Sequence, residues 1–583
     1  MAMLWLMCLP PPAAANGVRS VAAGATWQVA STTHLSDLSI AVGARLIAPS
    51  GENLTLTVNG VQTPLAPGTY RGNVVLTPTQ PIPIRFDDMG AHRTDQLRAA
   101  LYVDDGAYVP SQSVAAAVTG GAVSDARAQG IAISSVGPIF NGVVVQGHST
   151  YVIDDATIRL SGYGRNDFDG FGAAIRIGGY SRVTLNRVHI DDTGAVRTAI
   201  WVGDHAVATI NDSDIEVHDG PLPADYGWSW LHPQTSTDVM MAVPWMLGLR
   251  GDNRATLVVG AGTVYYNNTH IRAEGWGALS TDATHGGVHL YATHCRIETV
   301  KNGYGAYSVD GSLDTFRDTV FDVADYGLIM AGGSGVFTDG SVVNSRRIGV
   351  MSHGPNQGVL RIDRGSVFNT EKAVIQLKSS TPTIIVDHAQ LRSRSGVILQ
   401  AMVNDDPNAA NAAGPPPDEA PARGAPVHAA AARVAPDIHA LFSNTTADGD
   451  LVNAMTALGG LVVTLEHSTL RGAITSAIPH HAVGPHGERL VMQEKPDLYY
   501  LIGEEIDTYA ATGTAHGVQV ALRAGSRWIV TKSSYLTGLR IAPGTHVSAA
   551  SGSRLTMTVN GIATSIVPGF YSGRIVLAVQ PRG

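Results

Sequence analysis

The chain has 583 residues and a net charge of −9, with charged residues at only 15% and aromatics at 6%. That balance, with no Lys/Arg-rich stripe in view, argues against nucleic acid and anionic membrane surfaces as partners. Two cysteines, Cys8 and Cys295, exclude a disulfide scaffold. The length exceeds what one globular core usually fills, roughly 250–300 residues, while 65 glycines and the scarcity of Leu/Glu/Lys helical patterns call for many short strands and turns.

Residues 1–16 read as a secretory signal segment: an apolar stretch at 3–9 precedes small residues at 13–15, without a basic n-region. The approach to Cys8, Trp5-Leu6-Met7, is a poor one for a lipidated cysteine. No run of about 18 apolar residues occurs elsewhere, so no transmembrane helix is expected. Residues 17–81 form an N-terminal β module, and residues 517–583 repeat it. Positions 24–77 align with 525–578 without a gap at a constant offset of 501, with 24 identities in 54 positions. LTLTVNG and LTMTVNG alternate with period two and stop at Asn-Gly, a strong hairpin signal. Modules of this kind suit the ends of a repeat array, where exposed strand edges invite aggregation.

Residues 82–406 carry the repeats. The small residue that opens a short apolar run recurs at Gly305 (GAYSV), Gly327 (GLIMA), Gly349 (GVMSH), Ala373 (AVIQL) and Gly396 (GVILQ), in steps of 22, 22, 24 and 23. An Asp keeps the same beat at Asp318, Asp339, Asp363 and Asp387. Such steps are too short for a βαβ unit of roughly 30 residues. They fit one coil of an all-β solenoid, a right-handed parallel β-helix whose stacked coils share a core. Residues 226–252 interrupt the rhythm with three of the eight tryptophans. Residues 407–436 are an Ala/Pro-rich excursion without a β pattern, and further coils are expected over 437–516.

The end-module stretches GSRWIV (525–530) and SYLTGLRIAPG (534–544) resemble the passenger domains of pertactin-like autotransporters, where such strands and Gly turns recur along a right-handed β-helix. The central coils are similar to bacterial β-helix proteins of the pectin-lyase-like kind. The resemblance is to the passenger alone, without the C-terminal barrel that defines an autotransporter. The resemblance implies a secreted or cell-surface protein.

Chemistry has two candidate places. Aligned on their small residues, Asp204 (AIWVGDH), Asp282 (GALSTD) and Asp310 (GAYSVD) fall in one column, with His205, His285 and His353 nearby. Coils stack roughly 4.8 Å apart, so Asp282 and Asp310, assisted by His285 or His353, are the candidate acid and base of a polysaccharide lyase or glycoside hydrolase. The bland reading of the column is turn chemistry. The second place is the aromatic excursion. Trp228, Trp230 and Trp245 suit sugar stacking or a protein pocket, and Arg250-Gly251-Asp252 is a tripeptide known for integrin binding. His480, His481 and His486 match no standard zinc spacing, so no metal or cofactor is expected. The expectation is therefore a monomeric, exported β-helix scaffold with a binding or adhesive role toward a polysaccharide or a host or cell-surface protein. A carbohydrate-cleaving enzyme is the alternative.

Overall fold

Short runs such as Arg182–Asn186 (RVTLN) and Asp214–His218 (DIEVH) alternate apolar with polar residues, which sends every second side chain inward from an extended backbone. A computed structural model describes residues 7–8, 17–86, 93–224, 249, 251–282, 287–354, 357–404, 436–483, 486–487, 508–512 and 516–582. The described chain is all-β, with long sheets dominated by parallel pairing and no α-helix. None of its helices is long and apolar enough to cross a membrane. Two compact units emerge, residues 1–243 with 251–290, and residues 244–250 with 291–583.

In the first unit, three strands make a repeat and each pairs in parallel with its counterpart in the next repeat. Arg182–Asn186 lies on Val207–Asn211, which lies on Thr263–Asn267. His189–Thr193, Asp214–His218 and His270–Ala273 form a second ladder. Arg197–Val202, Asn253–Val259 and Gly277–Asp282 form the third. The aromatic excursion enters at one corner, and the ladder resumes in register at Asn253. The second unit repeats the plan: Leu313–Arg317, Ser334–Thr338, Val359–Asp363 and Thr383–Asp387 stack in parallel. Strand Ile438–Ser443 then continues on Thr383–Asp387, so the Ala/Pro-rich excursion is also spliced in without breaking the ladder.

Two members of the Asp beat, Asp318 and Asp339, are corner residues, whereas Asp363 and Asp387 end their strands one position before the corners at Arg364 and His388. In the second unit His294, Asp318, Asp339, Arg364, His388, Asn444 and His467 adopt left-handed backbone with φ between 44° and 55°. Such a residue costs roughly 1 kcal/mol in this region. The conformation turns its N–H toward the next repeat: Asp318 donates to the Thr338 carbonyl (3.2 Å), His388 to Ser443 (3.1 Å) and Asn444 to Glu466 (3.0 Å). The first unit does the same at Asp155, Arg187 and Asp212. An amide column runs beside it, with Asn186 donating to Asp154, Asn211 to Asn186 and Asn267 to Asn211 at 2.8–2.9 Å.

Register corrects part of the sequence alignment. Gly305, Gly327 and Gly349 do stack, because Ala306 opposes Leu328 and Leu328 opposes Val350. A Cβ on Gly327 would sit 2.5 Å from the Gly349 carbonyl oxygen, which explains the small residue. The next member of the column is Val374 rather than Ala373, since Val350 opposes Ile375. Gly396 falls where the pairing of Gln390–Met402 is irregular.

The two end modules have the same backbone. In one, Thr33–Ile40 pairs antiparallel with Gly68–Thr79. In the other, Ser534–Ile541 pairs with Gly569–Pro581, every pair shifted by 501, including the irregularity at Leu35/Asp37 and Leu536/Gly538. Asn59 Oδ1 accepts the Asn73 N–H and Asn560 Oδ1 the Arg574 N–H, both at 2.9 Å.

Inside the second unit, Phe316 and Phe337 stack in one column and Phe368 packs edge-on against Phe337, which is fully buried, with ring centroids 4.9 and 5.0 Å apart. Phe337→Ala is expected to cost about 3–5 kcal/mol, read as a fall in the urea midpoint; an unchanged midpoint would mean that the stack does not carry the repeat core.

Candidate functional site

Two of the three strand ladders expose every second residue, but the third does not. Arg197–Val202, Asn253–Val259 and Gly277–Asp282 are buried at every position. So is Ile375–Lys378 in the second unit. In the first unit a loop closes over this flank. Arg176 lies against the Trp201 ring (4.1 Å) and donates to the Asp169 carbonyl (2.7 Å), Trp201 Nε1 donates to Phe168 (2.8 Å), and Arg254 pairs with Asp167. Arg197 and Asp192 form an ion pair at 2.8 Å with neither side chain exposed. Burial pushes the Asp192 carboxyl up against the pull of Arg197. No motif advertised these arginines: Asp192 and Asp169 lie five and seven residues before Arg197 and Arg176, in no recognised pattern, and Asp167 is 87 positions from Arg254.

The sequence-nominated residues lie mostly on or beside this third ladder. Asp282 ends its strand at 8% exposure and stands opposite Val259. Val202 opposes Val258, so Asp282 is one residue short of the column of Asp204. Asp310 is an exposed turn residue with φ 42°, its N–H bonded to the Ala331 carbonyl at 3.1 Å. That is the turn role. Asp282 belongs to the first unit and Asp310 to the second. His353 ends Ile348–His353, opposite Lys378, with Nε2 3.4 Å from the Tyr307 hydroxyl. His285, Trp228, Trp230, Trp245 and Arg250 lie outside the described residues.

Asp252 is half-buried in a group of carboxylates. Its N–H donates to Asp219 Oδ1 (3.0 Å), its Oδ1 accepts the Gly220 N–H (3.1 Å), and the Asp219 N–H donates to Glu274 Oε2 (3.1 Å). His218 Nδ1 is 3.8 Å from Glu274. Burial raises the Asp252 carboxyl to about 7; the Gly220 bond pulls it down, and the neighbouring Asp219 and Glu274 charges push it up.

An open site lies elsewhere, on the second ladder of the second unit. Val320–Val323, Val342–Ser345, Val367–Thr370 and Gln390–Met402 stack in parallel with Asp322, Asn344, Asn369 and Arg392 in one column. Phe321, Val343, Phe368 and Leu391 point inward and are buried, so the column beside them faces solvent. It lines a groove of about 610 Å³, bordered by Ser345, Thr370 and Ser393 and by Arg346, Glu371 and Arg394. Asn344 Nδ2 donates to Asp322 Oδ1 (2.8 Å) and Asn369 Nδ2 to Asn344 Oδ1 (2.9 Å). Each amide has a second N–H beyond the one spent along the column. Arg394 pairs with Glu371 at 3.1 Å. The lining mixes donors, acceptors and both charges over four strands, roughly 14 Å at strand spacing.

The groove escaped sequence reasoning because its members sit at unequal distances from the Asp beat, four residues after Asp318, five after Asp339, six after Asp363 and five after Asp387. Only the pairing puts them in one line. No protein-family model matches the chain, and no curated protein matches it in sequence.

Because the Asp252 carboxyl keeps its proton up to about pH 7 when folded and only to its ordinary value of 3.8 when unfolded, its stabilising contribution is complete below about pH 4 and disappears as the pH rises through about 7. Asp252→Asn is therefore expected to gain on the parent chain between pH 4 and 7, by roughly 2–4 kcal/mol once its partial exposure is discounted. Urea midpoints at several pH values measure this. Parallel curves for the two proteins would place Asp252 in an ordinary, solvated setting.

Proposed function

We propose that the repeats are coils of a right-handed parallel β-helix, flanked by duplicated end modules, and that the protein is an exported or cell-surface scaffold that binds an extended, hydroxyl-rich polymer. The handedness follows from the strong chiral preference of parallel crossovers. Export rests on the signal-like start and on the pertactin-like pattern of the end modules. A polysaccharide is the ligand class, with an adhesive role as the consequence.

The observation that carries this reading is the column Asp322–Asn344–Asn369–Arg392. It offers one planar polar group per strand, and strands advance by roughly 4.8 Å, close to the advance of one hexose in an extended chain. Amide, carboxylate and guanidinium groups supply both donors and acceptors, as pyranose hydroxyls require. The groove has no aromatic anchor, which fits a glycan better than a protein partner, whose binding usually concentrates on Trp and Tyr hot spots. Its length spreads the binding over several weak contacts.

A second reading is favoured by Asp252. A carboxyl that is protonated near neutrality beside ionised Asp219 and Glu274 is the arrangement a glycoside-cleaving acid needs. On that reading the chemistry resides in the first unit rather than at Asp310 or His353.

Calorimetric titration with a panel of neutral and acidic polysaccharides separates the two. Asn344→Ala with Asn369→Ala is expected to weaken binding about tenfold, the loss of about 1.4 kcal/mol in hydrogen bonds, while Asp310→Asn leaves affinity unchanged. Equal affinity of the double variant and the parent would remove the groove as the site. Release of reducing ends, abolished by Asp252→Asn, would move the protein to the enzyme class.

A further inference from the structure

We propose that the C-terminal module docks on an anionic lipid surface. The duplicated module provides an internal reference, since one backbone is built twice and differences between the copies are not demanded by the fold. Residues 508–583 contain seven Lys and Arg and no Asp or Glu, in a chain whose net charge is −9. The acidic overall balance conceals this basic end, which is why composition alone argues against membrane partners. Arg523 and Lys532 are spent on Glu466 and Asp450 of preceding repeats. Arg527, Arg540, Arg554, Arg574 and Arg582 are exposed and have no ion pair among the described residues.

Position by position, the N-terminal copy is less basic, with Arg19, Arg45 and Arg71 against Asp37 and Glu52 over residues 17–81. Arg540, Arg554 and Arg574 stand where the other module has Ser39, Asn53 and Asn73. The acid Asp37, paired there with Arg71 at 3.1 Å, is replaced by Gly538, and Glu52 by Ser553. The apolar surface changes in the same direction. Phe570 replaces Thr69 and is 72% exposed, and Val567 replaces Ala66 and is also exposed. Ile562 corresponds to Val61, but Val61–Thr63 is paired with Ala132–Ser135 and Gln62 is buried against Ser135. Strand Ile562–Thr564 has no such partner among the described residues, and Ile562 is 72% exposed.

Cation and apolar side chain share one face. Phe570 stands directly opposite Arg540 in the antiparallel pair, and both line a groove of about 660 Å³ with Pro543 and Pro568. An exposed Phe570 opposite Arg540, on a module with no Asp or Glu, matches the two demands of an anionic bilayer: side chains that enter the headgroup boundary, and charges drawn to the negative surface potential. A second copy of this chain, acidic overall, satisfies the charge but not a purpose for three isolated apolar tips.

Sedimentation of the full chain with vesicles tests this, using phosphatidylcholine alone and phosphatidylcholine with roughly one-third phosphatidylglycerol. Binding to the anionic vesicles that weakens with salt is expected. The variant Arg540→Ser/Phe570→Thr/Arg574→Asn, which takes the residues the N-terminal module already folds with, is expected to lose at least about tenfold. Equal binding to neutral vesicles, or full binding by the triple variant, overturns the proposal. So does concentration-dependent self-association without vesicles that the triple variant abolishes, which would assign the face to a second copy.

Discussion

The repeats depend on one constraint: at each corner a single residue must turn into the left-handed region so that its N–H reaches the carbonyl ending the next repeat's strand. Asp318 to Thr338, His388 to Ser443 and Asn444 to Glu466 are instances of the same bond. The bond carries the backbone ladder around the bend, where strand pairing alone would leave donors unsatisfied. It also explains why Asn and Asp are frequent there without being obligatory. Arg364, His388 and His467 occupy the conformation too, at a local cost offset by the regularity gained across every repeat.

With the corners fixed, side-chain columns follow. Phe316 and Phe337 share one inward column, and Phe368, inward from the second ladder, packs edge-on against Phe337. The outward column of the second ladder holds amides and charges that bond along the stack and remain open to solvent. The third ladder is different: it is buried on both faces, in the first unit under the loop that carries Asp167, Phe168 and Asp169. The buried Arg254–Asp167 pair and the bond from Arg197, itself paired with Asp192, to the Gly172 carbonyl hold that cover. Buried pairs add little net stability, but leaving one member alone is expensive, so they specify where the loop must lie.

The end modules separate what the fold requires from what it tolerates. Asn59 and Asn560 bond the partner strand identically, and Gly68 and Gly569 share φ near 158°. Between these fixed points the copies diverge in charge and apolarity. An irregular pairing conserved at Leu35/Asp37 and Leu536/Gly538 bends both hairpins alike, so divergence at Asp37 and Gly538 changes the surface without changing the backbone.

The 22-residue beat, the alternation within LTLTVNG and the offset of 501 were sufficient to read an all-β chain of short repeats with one module present twice. These are local properties: inward alternation and turn residues act within a few positions of the chain. The Asp204–Asp282 column failed by one residue, and the groove at Asp322, Asn344, Asn369 and Arg392 was invisible, since repeats of 21 to 24 residues absorb their length differences at corners. Which side chains become neighbours is set by hydrogen-bond register between repeats. The same holds for Asp252, whose raised carboxyl depends on Asp219, Glu274 and burial brought by separate strands. The repeat and its period were determined by the sequence alone, and the alignment of one repeat's side chains with the next was decided only by the tertiary pairing, because a one-residue change at a corner moves every outward group to a different neighbour.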